Sequence, residues 1–268
     1  MPEVDPAGLA SANEDLALLR VAAREAGAIA LRYFGKNPEV WMKGGTSPVS
    51  EADYAADTYL RDTLLAARPD YGWLSEETAD GPERLSARRI FVVDPIDGTR
   101  GFLDGQKFWC VSVAVVEDGK PIAGVLECPA AHETYWATPG AGAFLNGKRI
   151  QVRNIPDIAE LAGPKALQDL VPQAWQRRLK RTAYIPSLAY RLAMIAGGRL
   201  DATFVKPNAH DWDIAAAELI LREAGGQLID SHGVTPAFAK KKVSHGALAA
   251  GSGEMLAMMA GVISGHAG

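Results

Sequence analysis

Phe91-Val92-Val93-Asp94-Pro95-Ile96-Asp97-Gly98-Thr99-Arg100-Gly101-Phe102 opens as a β-branched, aromatic run and stops at two carboxylates, a turn and a hydroxyl. Arg89 to Val93 has the character of a buried strand. Pro95 has no N–H for a ladder and Gly98 permits unusual φ, so the strand is expected to end at Asp94 and the chain to double back. Such a turn aims Asp94, Asp97 and Thr99 at one small volume. Carboxylates that close repel unless a proton or a cation lies between them, and hard oxygen donors suit Mg²⁺. Taken alone, the stretch also reads as a solvated Asp/Pro/Gly turn. The rest of the chain decides between the two.

At 268 residues the chain can bury one large core or two modest ones, and 48% hydrophobic with 22% charged residues is the balance of a globular protein. A formal net charge of −4 argues against nucleic acid or an anionic membrane surface as partner. An anionic small-molecule substrate must then be met by a metal or by a few Lys and Arg. Glu3 and Asp5 occupy an N-terminus without an apolar run, so no secretory signal is expected and a cytoplasmic location is the default. Met255 to Ile263 is too short to span a bilayer. Of the two cysteines, Cys110 and Cys128, each falls on one strand of a hairpin turning at Asp118-Gly119. Pairing Glu117 with Lys120 sets Cys110 opposite Glu127, which places the thiols on opposite faces as two inert buried groups.

Ser11-Ala12-Asn13-Glu14 has the form of a capping box, followed by apolar residues at helical spacing to Gly35. Val40 to Met42 reads as a short strand and Lys43 to Pro48 as a polar loop. A second capping box, Ser50-Glu51-Ala52-Asp53, opens a helix to about Ala67, with Asp53 in its first turn. An acidic residue there also complements the helix dipole. Tyr71 to Ser75 is expected as a strand ending at Glu76-Glu77. Strands are expected over Phe108–Glu117, Pro121–Glu127 and His132–Ala137, with a hairpin at Asn146-Gly147. Residues 1–153 therefore read as an α+β domain. The composition changes near Asn154, and 154–268 read as an α/β domain: a helix over Ser187–Ala196, a strand over Asp201–Val205, a helix over Trp212–Ala224, strands at Gln227–Ile229 and Ala247–Ala250, and a last helix over Glu254–Ile263. The basic run Arg177 to Arg181 is expected as a solvated helix end. Asp213 stands at the start of an Ala-rich helix, where a carboxylate N-cap or an outward-facing oxyanion site are both open.

Three motifs together, Trp73-Leu74-Ser75-Glu76-Glu77, Asp94-Pro95-Ile96-Asp97-Gly98-Thr99 and Trp212-Asp213-Ile214-Ala215-Ala216, with Glu223-Ala224-Gly225-Gly226 downstream, resemble the inositol monophosphatase superfamily of Mg²⁺-dependent, lithium-sensitive phosphatases. The resemblance implies a layered αβαβα fold, two or three Mg²⁺ ions, inhibition by Li⁺, and a homodimer. It implies Glu76, Asp94, Asp97, Asp213 and the Ile96 carbonyl as metal ligands, and a hydrogen bond from Thr99 to Asp53. Glu76 and Thr99 are then candidates to orient and deprotonate the attacking water, with Asp53 raising the basicity of Thr99. Asp97, Gly98, Thr99, Ser187, Arg191, Lys206 and Asp213 are the candidates for holding the phosphomonoester. Phosphate monoesters repel hydroxide, so their hydrolysis calls for cations near the phosphate, which four carboxylates without a nucleophilic triad can supply.

The substrate markers differ from those of inositol-specific members. Those carry a Glu seven residues before the Trp-Asp aspartate, and counting puts Lys206 there. A cation accepts no hydrogen bond from a hydroxyl but suits a second phosphate. Arg191 lies near where bisphosphate nucleotidases of the superfamily carry a Lys, Pro186 stands where a Gly is usual, and Gly101 replaces the residue that separates the subgroups. A 3'(2'),5'-bisphosphate nucleotide is therefore the expected substrate, ahead of inositol 1-phosphate and histidinol phosphate. A regulatory role beside transcription machinery, known for some members, is the non-enzymatic alternative.

Overall fold

A computed structural model describes residues 6–43 and 47–265. The first half comprises α1 (Pro6–Leu31), β1 (Val40–Lys43), β2 (Ser47–Ser50), α2 (Glu51–Ala67), β3 (Gly72–Ser75), β4 (Arg89–Asp97), α3 (Thr99–Leu103), β5 (Cys110–Glu117), β6 (Lys120–Cys128), β7 (Glu133–Thr138), β8 (Gly142–Leu145) and β9 (Lys148–Ile150). The second comprises β10 (Ala159–Ala162), α4 (Lys165–Gln168), α5 (Gln173–Gln176), β11 (Leu179–Arg181), α6 (Leu188–Ala196), β12 (Ala202–Val205), α7 (Asp211–Glu223), β13 (Gln227–Ile229), β14 (Leu248–Gly251) and α8 (Gly253–Ser264).

Strands β3 to β9 lie in sequence order in a seven-stranded sheet, antiparallel except for the β3–β4 pair. A five-stranded sheet of order β11-β10-β12-β14-β13 forms from the second half. Alternation along β4 and β5 builds two cores at once: Phe91, Val93, Val111 and Val113 pack under α1 and α2, while Ile90, Val92 and Ala114 face α6 and α7. The second sheet carries its own core with α8 on its outer face, including Phe204, Met255 and Met259. The layers are thus α1/α2, seven strands, α6/α7, five strands and α8, the αβαβα order expected from the motifs.

Several local expectations are corrected. Residues 6–10 are already helical, so Ser11 caps nothing; its Oγ accepts a hydrogen bond from Arg89 Nη1 at 2.5 Å. Ser47 and Pro48 belong to a strand paired with β1 rather than to a loop, while residues 44–46 lie outside the described residues. The β4 strand does not stop at Asp94. Asp94 pairs with Ser112 and Asp97 with Cys110, so one extra residue bulges out around Pro95, and the bulge accommodates its missing N–H. The run Arg177 to Arg181 is not one helix end: Arg177 caps α5, and Leu179–Arg181 is an edge strand, where exposed Lys180 and Arg181 discourage further pairing.

The cysteine register also differs. Glu117 does pair with Lys120, but the register shifts between Val115 and Val116, so Val111 pairs with Glu127. One rung on, Cys110 stands opposite Cys128, and both thiols face the α6/α7 core, free and fully buried. A single bulged residue moves every later side chain to the other face.

Candidate metal centre

The proposed ligands come from three segments: Glu76 from the end of β3, Asp94, Ile96 and Asp97 from the end of β4, and Asp213 from the start of α7. Glu76 follows β3, with its N–H bonded to the Val93 carbonyl at 3.2 Å, so the parallel β3–β4 pair sets it beside the β4 terminus. Asp94 is in the last regular rung of β4 and its Oδ1 accepts the Ile96 N–H at 3.0 Å, closing the bulge. Asp213 is the third residue of α7; its Oδ2 accepts the N–H of the N-cap residue His210 at 2.7 Å, so the helix start fixes its rotamer. Ligand oxygens of Glu76, Asp94 and Asp213 all lie within 4.8 Å of one another.

The electrostatics follow from that convergence. Burial, then the charge of Glu77, pushes the Glu76 carboxyl up to about 7, against the pull of Lys43. Burial holds Asp94 well above the usual carboxylate range, helped by the charges of Glu76, Asp97 and Asp213. Asp213 is raised well above it too, by burial and then by Asp97. Three all-oxygen donors that compete for protons in a space this small fit a hard divalent cation such as Mg²⁺, whose charge relieves the repulsion.

Asp97 stands outside this triad. Its Oδ2 accepts from Ser187 Oγ at 2.5 Å and from the Ala189 N–H at 2.6 Å, so it faces the N-terminus of α6. Burial raises its carboxyl, opposed by the Ser187 and Ala189 bonds and by the charge of Arg191. Gly98 makes that approach feasible. Its φ is +94°, and a Cβ there would lie 3.0 Å from the Ser187 backbone nitrogen.

Thr99 begins α3, with its Oγ1 3.3 Å from Asp53 Oδ1 and 3.0 Å from the Ile96 carbonyl. The other oxygen of Asp53 accepts from the Ser50 N–H and Oγ at 2.8 and 2.6 Å, the second capping box expected. Burial raises Asp53, while its bonds to Ser50 and Thr99 oppose the rise.

Of the substrate candidates, Ser187 and Arg191 lie at this centre and Lys206 is exposed at the end of β12. Arg191 is 9% exposed, and its Nε is buried without a hydrogen-bond partner among the described residues. Burial lowers its proton affinity, with the charge of Asp97 opposing. His210 stacks on Trp212 with centroids 4.6 Å apart. Lys43 was not singled out by its sequence context. Its Nζ donates to the Glu76 carbonyl at 3.1 Å and pairs with the Glu77 carboxylate, so β1 supplies a cation at the edge of the centre. A contact across 33 residues leaves no local mark.

The chain matches the model of the inositol monophosphatase family over residues 12–264. It is 36% identical over 229 residues to the Nus factor SuhB of Xylella fastidiosa, covering 79% of this chain and 80% of that protein. It is 35% identical over 229 residues to the inositol-1-monophosphatase of Rhizobium meliloti, covering 78% and 82%. Among solved structures, the extragenic suppressor protein suhB of Bartonella henselae aligns with a TM-score of 0.81 and 31% identity over 93% of this chain and 98% of that one.

Proposed function

The chain belongs to the inositol monophosphatase family of phosphomonoester hydrolases, and we propose that it acts on a 3'(2'),5'-bisphosphate nucleotide at the centre built from Glu76, Asp94, Asp97 and Asp213. The family is Mg²⁺-dependent, and the acidic cluster suits that ion. We assign two or three Mg²⁺ to it, held by those four carboxylates and the Ile96 carbonyl, with Li⁺ as an inhibitor. Bound Mg²⁺ supplies the positive charge that neutralises the phosphate oxygens and acidifies water.

The residues of the chain do the rest. Glu76, buried beside Asp94 and Asp213, is the group placed to accept a proton from the attacking water. Thr99 orients that water, and Asp53 accepts the Thr99 hydroxyl proton in a hydrogen bond that makes its oxygen a better acceptor. The Gly98 and Thr99 N–H groups hold the phosphate at the start of α3. In this reading the two sheets mark two domains, 1–153 and 154–268, with the substrate between them.

The observation that carries the choice of substrate is Arg191. A guanidinium nine-tenths buried, with an unpartnered Nε, is costly unless an anion completes it. A second phosphate does so, and Lys206 adds charge where a hydroxyl acceptor would otherwise stand. A second reading, inositol 1-phosphate, draws support from the name of the Rhizobium meliloti relative. Turnover of adenosine 3',5'-bisphosphate, inositol 1-phosphate and histidinol phosphate at fixed Mg²⁺, with and without Li⁺, tests the proposal. Preference for the bisphosphate, lost in Arg191→Met, is expected; a clear preference for inositol 1-phosphate overturns it.

A further inference from the structure

Tyr184 is 72% exposed, the most exposed of the large apolar side chains among the described residues. Its position is held from both sides. Thr182 donates its N–H to the Leu161 carbonyl at 3.0 Å, Ile185 is 7% exposed in the core, and Pro186 lies so close to Gly101 that a Cβ there would come within 2.7 Å of it. Between these anchors Ile185 turns into the core and Tyr184 out to solvent. The ring is presented to solvent on a fixed segment.

Other exposed aromatics differ from it. Phe108 leans on the Tyr190 ring at 5.8 Å and Trp41 meets Tyr54 at 5.9 Å. Tyr184 stacks on no ring and its hydroxyl has no hydrogen-bond partner among the described residues. It precedes Ser187, which bonds Asp97, by three residues, a span of at most about 11 Å. It is also near enough to Arg191 to act on that charge.

Resting on the bisphosphate-nucleotide reading, we propose that the Tyr184 ring is the stacking platform for the nucleobase, beside the second phosphate at Arg191. Every base has a π-face, so an uncovered ring near an anion site receives purines and pyrimidines alike without reading their edges. The subsite thus selects a nucleotide over a sugar phosphate but tolerates either base class.

The test compares Tyr184→Ala, Tyr184→Phe and Tyr184→Trp on adenosine 3',5'-bisphosphate and on fructose 1,6-bisphosphate, which has two phosphates and no base. Loss of one stack raises KM for the nucleotide about five- to a hundred-and-fiftyfold in Tyr184→Ala, with kcat near the original value. Tyr184→Phe and Tyr184→Trp keep the original KM, and KM for the sugar bisphosphate is the same in all four proteins. An equal change on both substrates, or none on the nucleotide, overturns the proposal. If the parent protein prefers the nucleotide and loses that preference in Arg191→Met while Tyr184→Ala is silent, only the stacking role falls. If the parent protein shows no preference for the nucleotide, the substrate reading falls and takes the stacking role with it.

Discussion

Ser187 Oγ donates to Asp97 Oδ2 at 2.5 Å, so the first side chain of the α6 turn is tied to the turn that ends β4. The same oxygen accepts the Tyr190 N–H at 3.0 Å, making Ser187 both the N-cap of α6 and the clamp on Asp97. Ser187→Ala removes both bonds. A loss of about 1–2 kcal/mol is expected in urea unfolding, together with a higher Mg²⁺ concentration for half-maximal activity, because Asp97 then keeps only backbone N–H partners at the start of α6. Unchanged values of both would contradict the clamp.

Gly98 and Gly105 both have positive φ, +94° and +70°, but only Gly98 has backbone within 3.0 Å of where a Cβ would stand. Gly105→Ala is expected to cost about 1–2 kcal/mol for the left-handed conformation alone. Gly98→Ala must cost more and lower activity, since it pushes Ser187 away from Asp97. Equal unfolding free energies for the two variants would refute the close approach.

Raised carboxyls in the triad give the metal-free protein a definite pH dependence. Glu76, Asp94 and Asp213 hold protons in the folded state that the unfolded chain has released. Their contribution is fully present below the unfolded values, near pH 4, and is lost as pH rises through about 7 and beyond. In EDTA the melting temperature should fall between pH 5 and pH 8, and the rise on adding Mg²⁺ should grow over the same interval, because the ion competes with those protons. Thermal denaturation at several pH values reads this directly, and a flat or rising metal-free Tm would contradict it.

Cys110 and Cys128 face one another inside the α6/α7 core, and burial raises the Cys128 thiol well above its ordinary value. Neither should react with an aromatic disulfide reagent on the timescale of minutes in the native protein, and both should react in guanidinium. Fast native labelling of either thiol would place the β5–β6 hairpin differently.

The acidic cluster was largely legible because each of its carboxylates sits where a local pattern changes: Glu76 at a strand end, Asp94 at the bulge of β4, Asp213 in the first turn of α7. The capping box at Ser50 was legible for the same reason. Ser11 has the same local pattern but is claimed by Arg89, 78 residues away, which no short window contains. The thiol register was hidden by one bulged residue in β6. Strands β10 and β11 were missed because they are only four and three residues long, β11 at the sheet edge with two basic side chains in the solvent. Lys43 and the inward course of Arg191 likewise depend on tertiary contacts.

The most direct measurement is Mg²⁺-dependent phosphate release by Asp94→Asn beside the original protein, with circular dichroism on both. Asp94 is 1% exposed and shares its oxygen cluster with Glu76 and Asp213. Neutralising it should cost about a thousandfold in kcat/KM, or ~4 kcal/mol of transition-state stabilisation. The fold should survive, since an amide is uncharged, nearly isosteric and keeps an oxygen to accept the Ile96 N–H. Near-normal Mg²⁺-dependent turnover by a folded Asp94→Asn protein would contradict the assignment of this cluster as the catalytic metal centre.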